Sequence, residues 1–401
     1  MTTATAEGAL AGLRVLDLGL LVQGPQAALL LADLGAEVIK VELPELGDAS
    51  RWIRLSREDT RSAFFVACNR GKRSVTLDLR VPAAREVLLK LVDTADVLIS
   101  NFLPGTLEGW GLGYEVLSKR NPRLVFGAGS AFGSEGPDAS RRGADLAGQA
   151  EGGLISTTGS VDSDATPVGV VIADHIGSQN LANGVLAALL ARERTGRGQK
   201  VEVSLLGGQI YAQASELTYQ FMTGSPPGRS DRGHPMLPMV YGVVPTRDGQ
   251  IALVGVPTDQ RKSFFERIGR PDLAQDERFQ ALGFMPDVKH ELFDQLAETF
   301  RQRSTAEWAD LLREGGHRYA VVRGYDDLAE DPGAYANGYL QRIEHPEWGV
   351  VSMVGCPIRM SETPTTPGAL APELGQHTEE VLLEIGLDWN AITALREAKA
   401  I

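Results

Sequence analysis

The chain has 401 residues, enough for two or three domains. Its 39 Lys and Arg against 52 Asp and Glu leave a formal net charge of −13, and 43% of its residues are apolar. That composition supports a large core and excludes a disordered chain, and the acidic balance excludes a general nucleic-acid binder, which needs a basic face. The two cysteines, Cys68 and Cys356, form no CxxC pair, so reduced thiols are expected rather than a zinc module or a disulfide scaffold. The first residues, MTTATAEGALAG, lack the basic-then-apolar pattern of a secretory signal, and no window approaches about 20 apolar residues. A cytoplasmic protein without a membrane span is the expectation. Its 45 glycines imply many tight turns or close backbone approaches.

In chain order, Arg14 to Leu18 reads as a short buried strand, Gly24-Pro25 opens a helix over 26–34, and Gly35 ends it. Residues 37–42 (EVIKVE) form the next strand. Strand, helix and strand within about 30 residues is a βαβ unit, which favours a parallel sheet. RSVTLDL at 73–79 alternates like a strand, 81–95 carries one apolar helical face, and 96–100 and 123–127 are further strands. The pattern predicts a doubly wound α/β domain. Residues 174–195 form a long helix ended by Gly196-Arg197-Gly198, followed by a strand at 200–205 and a helix over 206–222.

Near residue 223 the composition turns to Gly, Pro, Ser and charge, which marks a junction. Tyr241 to Pro245 and Gln250 to Val254 flank Asp248-Gly249 as a hairpin. Helices are expected over 260–269, 288–301 and 305–313. The organisation is a large domain over 1–224, a small α+β domain over 225–328, and a segment over 329–401 that returns to the large domain. That last segment holds strands at 341–343 and 350–354, a Pro/Thr-rich stretch at 356–372, and a final helix from Thr378.

Three features carry chemistry. The turn Gly19 to Pro25 matches neither GxGxxG nor the P-loop, yet it feeds a helix N-terminus, where an anion can sit on free N–H groups. Asn69-Arg70-Gly71-Lys72-Arg73 is the densest basic cluster and a candidate phosphate site. Asp174 opens the long helix, where it serves either as an N-cap or as a nucleophilic carboxylate kept ionised by the helix N-terminus. The six histidines form no metal spacing, and neither HExxH nor GxSxG occurs.

Seven segments in order resemble the class III CoA-transferase family, also called the CaiB/BaiF family. They are LAGLRVLDL at 10–18, LADLGAEVIKVE at 31–42, NRGKRSVTLDLR at 69–80, ADVLISNFLPGTLEGWGLGYEVL at 95–117, GGLISTTG at 152–159, TGRGQKVEVSLL at 195–206 and LGQHTEEVLLEIGL at 374–387. The resemblance implies a Rossmann-like large domain with an inserted smaller α+β domain, in a homodimer of two interlocked rings. It implies CoA transfer from an acyl-CoA to a carboxylic acid, with Asp174 as covalent nucleophile and no metal.

The family's CoA contacts fall on Val22, Gln23, Leu77, Arg80, Asn101, Phe102, Thr106 and Arg142, with Asp145 near the active site and Lys72 and Arg73 as further phosphate candidates. Leu43 and Gly109 replace basic residues of formyl-CoA transferase, so adenine and 3′-phosphate recognition must use other groups. Gly233-His234-Pro235 lies where that enzyme has its long glycine loop. The racemase branch carries a histidine in a GHD sequence, and here Ala144 stands in its place, which favours transferase over racemase or epimerase. A non-catalytic CoA-binding protein is the remaining alternative.

Overall fold

The computed structural model describes residues 7–280, 286–365 and 370–401. Part of the Pro/Thr-rich stretch, 366–369, lies outside the described residues. The chain divides into two compact units. The first comprises residues up to Gly152, Gly169–Ala212 and Pro332–Ile401. The second comprises Gly153–Val168 and Gln213–Asp331, so it starts before the composition change at 223 and takes in a stretch that the sequence reading left in the large domain.

The first unit is built on a six-stranded sheet, β1 (Arg14–Asp17), β2 (Glu37–Glu42), β3 (Arg73–Thr76), β4 (Val97–Ser100), β5 (Val125–Ser130) and β6 (Lys200–Ser204). Their order is β3-β2-β1-β4-β5-β6, and every pairing is parallel. This is the order in which the winding reverses at the first strand and leaves a crevice beyond the carboxyl ends of β1 and β4. Alternate residues of each strand feed two cores. Val15, Val38, Val97, Ile99 and Val125 pack with Leu31, Leu181 and Val185 on one face. Leu16, Ile39, Leu98 and Phe126 pack with Leu88, Leu117, Val381 and Ile392 on the other. Each such aliphatic side chain contributes about 1.5–3 kcal/mol on burial.

The helices Gln23–Asp33 and Ile172–Thr195 cover the first face. Helices Pro82–Val92, Thr378–Glu384 and Trp389–Glu397 cover the second, so the end of the chain completes the first unit's core. A hairpin of β10 (Leu340–His345) and β11 (Gly349–Val354) belongs to the same unit, by residue range. The expected helix over 206–222 is broken at Gln213 into Leu205–Ala212 and Ala214–Thr223, at the boundary between units.

The second unit has an antiparallel sheet, β7 (Tyr241–Pro245), β8 (Gln250–Val254) and β9 (Tyr319–Val321). Its core holds Val244, Ile251, Phe264, Phe293, Leu296, Phe300 and Trp308. Trp308 stacks on Phe300 with centroids 4.4 Å apart and donates its Nε1–H to the Phe300 carbonyl at 2.7 Å, so the ring is buried without an orphan donor. No helix among the described residues is long and apolar enough to cross a membrane.

A buried charged network shapes the turn after β1. Lys40 is fully buried, donates to the Gly19 carbonyl at 2.9 Å and pairs with Asp48 at 2.8 Å. Burial alone would discharge it, but the carboxylates of Asp17, Asp48 and Glu42 outweigh that and hold it charged. Asp48 accepts the Leu21 N–H at 2.9 Å, and Asn101 clamps Leu20 by both its N–H (2.7 Å) and its carbonyl (2.9 Å). Leu21 is thereby held at φ 62, a left-handed conformation unusual for a leucine. Gly19 is required here: a Cβ would stand 2.7 Å from Pro25 Cδ and 2.8 Å from Asp17 Oδ1.

Candidate active site

Asp174 is the third residue of the helix Ile172–Thr195, not its N-cap, which is Val171 and makes no side-chain cap. The cap comes from elsewhere in the chain. Asp145, the first residue of the helix Asp145–Glu151, accepts the N–H groups of Ala173 (2.7 Å) and Asp174 (3.2 Å) on Oδ1. Its Oδ2 accepts from Gln149 Nε2 at 2.7 Å, which also donates to the Val170 carbonyl at 3.2 Å. Two carboxylates therefore meet at one helix start, and the free N–H groups are taken by Asp145.

The Asp174 carboxylate is partly buried and accepts no hydrogen bond from the described residues. Burial first, and the negative charge of Asp145 second, push it up to about 7. This corrects the expectation of a permanently ionised aspartate: near neutrality the group is poised between its two forms. A carboxylate with few donors and little water is a stronger nucleophile than a solvated one.

The next residue faces another helix. His175 Nδ1 lies 2.6 Å from Gln26 Oε1, and Ser178 Oγ lies 2.8 Å from the same oxygen. An acceptor at Nδ1 places the proton there and leaves Nε2 as the free lone pair. Burial lowers the affinity of His175 for a second proton, against the pull of Asp145. Gln23 is buried below, its Nε2 3.3 Å from the Ser130 carbonyl. It fits because Gly129 has no side chain: a Cβ there would stand 2.4 Å from Gln23 Oε1.

A cavity of about 600 Å³ opens at the carboxyl ends of β1 to β4. Its walls include Leu18, Val41, Leu43, Trp52, Leu77 and Phe102, with Arg80 among its lining residues. Arg80 is exposed and paired with Asp78 at 2.7 Å. The structure thus brings Leu77, Arg80 and Phe102 together at one cavity. Asn101 fixes the Leu20 wall from behind, and Val22 is buried before the helix Gln23–Asp33. Thr106 opens a short helix after the NFLPG loop, its N–H on the Leu103 carbonyl. Arg142 is exposed and makes no ion pair with the described residues. Leu43, in place of a basic residue, makes the wall apolar.

The basic cluster has other work. Lys72 is fully buried and donates to Asp17 Oδ2 (2.7 Å), the Pro25 carbonyl (2.7 Å) and Asn69 Oδ1 (2.9 Å), so its three donors are used. Arg73 is bound by Glu37, Glu380 and Glu384. Arg70 pairs with buried Asp33. Lys72 has no donor left for a phosphate, and Arg70 and Arg73 are held in carboxylate pairs, so these cations serve the scaffold rather than their expected phosphate-binding role. Conversely, sequence reasoning missed the capping role of Asp145 and the part of Gln149. The only local signal was the i,i+4 pair Asp145 and Gln149 at a helix start.

Residues 10–378 match the sequence profile described as CoA-transferase family III. Succinyl-CoA:mesaconate CoA-transferase of Haloarcula hispanica is 35% identical over 399 residues, covering 95% of this chain and 97% of that one. Succinyl-CoA--D-citramalate CoA-transferase of Chloroflexus aurantiacus is 33% identical over 395 residues, covering 97% of each. The crystal structure of a CaiB/BaiF family protein from Brucella suis superimposes with a TM-score of 0.84 at 32% identity, covering 94% of this chain and all of that one.

Proposed function

The chain belongs to CoA-transferase family III and is a CoA-transferase, and from that premise we propose that Asp174 is its nucleophile and that the acids it exchanges are dicarboxylic. The observation that carries the first part is the poised, donor-poor carboxylate of Asp174 beside Asp145. The second part rests on relatives named for succinyl, mesaconate and citramalate substrates.

In the proposed sequence, the ionised Asp174 attacks the thioester carbonyl of the acyl-CoA. The C–S bond breaks, CoA leaves as thiolate and a mixed anhydride remains. The thiolate then attacks the aspartyl carbonyl, which releases the donor as a carboxylate and leaves an aspartyl-CoA thioester. The acceptor carboxylate attacks that thioester, forming a new anhydride, and the thiolate takes the acceptor's acyl carbon. Asp174 is returned as a carboxylate, so no net proton is consumed. Ala144 offers no second acid–base group beside Asp145.

CoA would lie with its adenosine in the apolar cavity between Trp52, Leu43 and Leu77. Arg80 would meet a phosphate at the mouth, with Phe102 and the turn of Val22 and Gln23 below. Asn101 holds Leu20 of this wall, with Thr106 as a further contact, and Arg142, exposed and without an ion pair among the described residues, would meet another phosphate. The functional unit is read as two interlocked copies of the chain. Leu190, Ile210 and Tyr211 of the first unit and Phe221 and Met222 of the second are large, exposed apolar residues. Such groups suit a partner surface. The test is Asp174→Ala. Loss of transfer from succinyl-CoA to a dicarboxylic acceptor, with an unchanged circular dichroism spectrum, is expected, and retained turnover overturns the assignment.

A further inference from the structure

One carboxylate holds two sides of the apolar cavity at the carboxyl ends of β1 to β4. The turn after β1 supplies Leu20 to that cavity, and the segment after β2 supplies Leu46, Ala49 and Trp52. Asp48 ties the two together and is fully buried. Its Oδ1 accepts the Leu21 N–H at 2.9 Å and the Ser50 N–H at 2.8 Å. The first bond holds the turn at the left-handed Leu21. The second caps the 3₁₀ helix Ala49–Trp52, which carries the Trp52 wall. Oδ2 pairs with Lys40 at 2.8 Å, and Lys40 reaches back to the Gly19 carbonyl of the same turn at 2.9 Å.

Backbone strain gathers at the same place. Four non-glycine residues among those described have positive φ, and two of them, Leu21 at φ 62 and Glu45 at φ 63, adjoin the cavity-lining Leu20 and Leu46. Such residues persist only where the surroundings over-determine them, and they cluster at ligand clamps. Asp48 is itself fixed from the sheet. Its N–H donates to Glu42 Oε2 at 2.9 Å, and Glu42 is bound by Arg51 Nε (2.7 Å), Arg51 Nη2 (2.8 Å) and Ser74 Oγ (2.7 Å). Burial would favour the protonated form of Asp48, but the Lys40 ammonium outweighs it and holds the carboxyl below its usual range. The group is therefore an ionised acceptor for both N–H groups.

We propose that Asp48 is a positioning residue for CoA binding, which fixes the Leu20 and Trp52 walls of the cavity in their binding-competent arrangement before CoA arrives. It touches no part of the ligand and acts through the two backbone N–H groups it accepts. A ligand that needs both walls in place binds more weakly in proportion to the fraction of molecules that have them so. Without Asp48, Leu21 is released from a conformation that leucine resists, and the 3₁₀ helix loses its cap. The inference rests on the proposed seating of CoA in this cavity, and the experiment separates the two.

The test titrates the full-length protein and the variants Asp48→Ala, Asp48→Asn and Trp52→Ala with CoA by calorimetry and assays them with succinyl-CoA. Asp48→Ala is expected to raise the Kd for CoA and the KM for succinyl-CoA at least about tenfold. Saturating kcat should stay within about twofold, since the loss falls on binding. Asp48→Asn keeps an oxygen for the two N–H groups and should recover most of the loss. Lowered stability with both constants unchanged, or a kcat that falls as far as KM rises, overturns the proposal. If Asp48→Ala does not fold, hydrogen exchange on the unaltered protein decides. The Leu21 and Ser50 amides should exchange slowly before CoA is added, and fast exchange that only CoA slows overturns the proposal. CoA binding weakened by Trp52→Ala but not by Asp48→Ala overturns the positioning role and leaves the cavity as the CoA site. Binding unchanged in Trp52→Ala places CoA elsewhere and overturns both. If CoA binds with loss on Asp48→Ala but no acid is turned over, the positioning role stands and the transfer reading fails.

Discussion

Replacing Asp145 by Asn removes a negative charge beside Asp174 and keeps an oxygen that can accept the Ala173 and Asp174 N–H groups, since Asn caps as well as Asp. The new amide meets Gln149 Nε2 where a carboxylate oxygen stood, and Gln149 must turn its own amide to accept from it. Asp174 rises from 3.8 to about 7, with burial the larger cause and Asp145 the smaller. The share of Asp145 is therefore less than half of the rise, and we take it as roughly one pH unit, or about 1.4 kcal/mol. Only the ionised carboxylate attacks, so kcat/KM climbs with pH through this group and levels above it. At about pH 6 the wild-type group is roughly one tenth ionised, and with the pKa lowered by about one unit it is roughly half ionised. The expected outcome is a gain of about fivefold in kcat/KM near pH 6 that vanishes near pH 8. Stopped-flow profiles of succinyl-CoA consumption against pH measure it. An acidic limb that stays in place, or moves upward, refutes the electrostatic reasoning.

Folding stability carries the same signature. The folded protein holds a proton on Asp174 more tightly than the unfolded chain, so stability is greatest below about pH 4 for this group and falls as pH rises through about 7. Asp174→Asn should therefore stabilise the protein at about pH 8 by roughly 1–2 kcal/mol, a figure already reduced for partial exposure, and should have little effect near pH 4. Urea titrations at the two pH values compare them. Lys72 and Arg80 should separate cleanly. Lys72→Met leaves Asp17 buried with Lys40 as its remaining cation at 3.7 Å and should cost about 3–5 kcal/mol of stability. Arg80→Ala should leave the urea midpoint unchanged and raise the KM for succinyl-CoA several-fold. The reverse pattern would return Lys72 to the ligand and Arg80 to the scaffold.

Legibility in the sequence followed the range of the interactions. β1, β2 and the helix between them are marked by an apolar run, a Pro near the helix start and a Gly after its end, all local signals, and the structure places them within a few residues. The doubly wound order was readable because parallel neighbours need helical crossovers. Charge was misread where its partners are distant in sequence. Lys72 reads as a loop cation beside Gly71, yet its acceptors are Asp17 and Pro25, brought together by the pairing of β1, β2 and β3. Asp174 reads as a cap because nothing near it shows that Asp145 fills that place from 29 residues away. The break at Gln213 has no marker in the residues around it.

The most direct measurement follows heavy oxygen. When an acceptor acid labelled in its carboxylate passes through the proposed anhydride, one labelled oxygen is left on the aspartyl carboxylate at the close of the cycle. After turnover with succinyl-CoA, the peptide containing Asp174 should gain the mass of heavy oxygen, with fragmentation placing it on that side chain. No gain should occur without succinyl-CoA. Turnover at full rate with Asp174 unlabelled would contradict covalent catalysis by this residue.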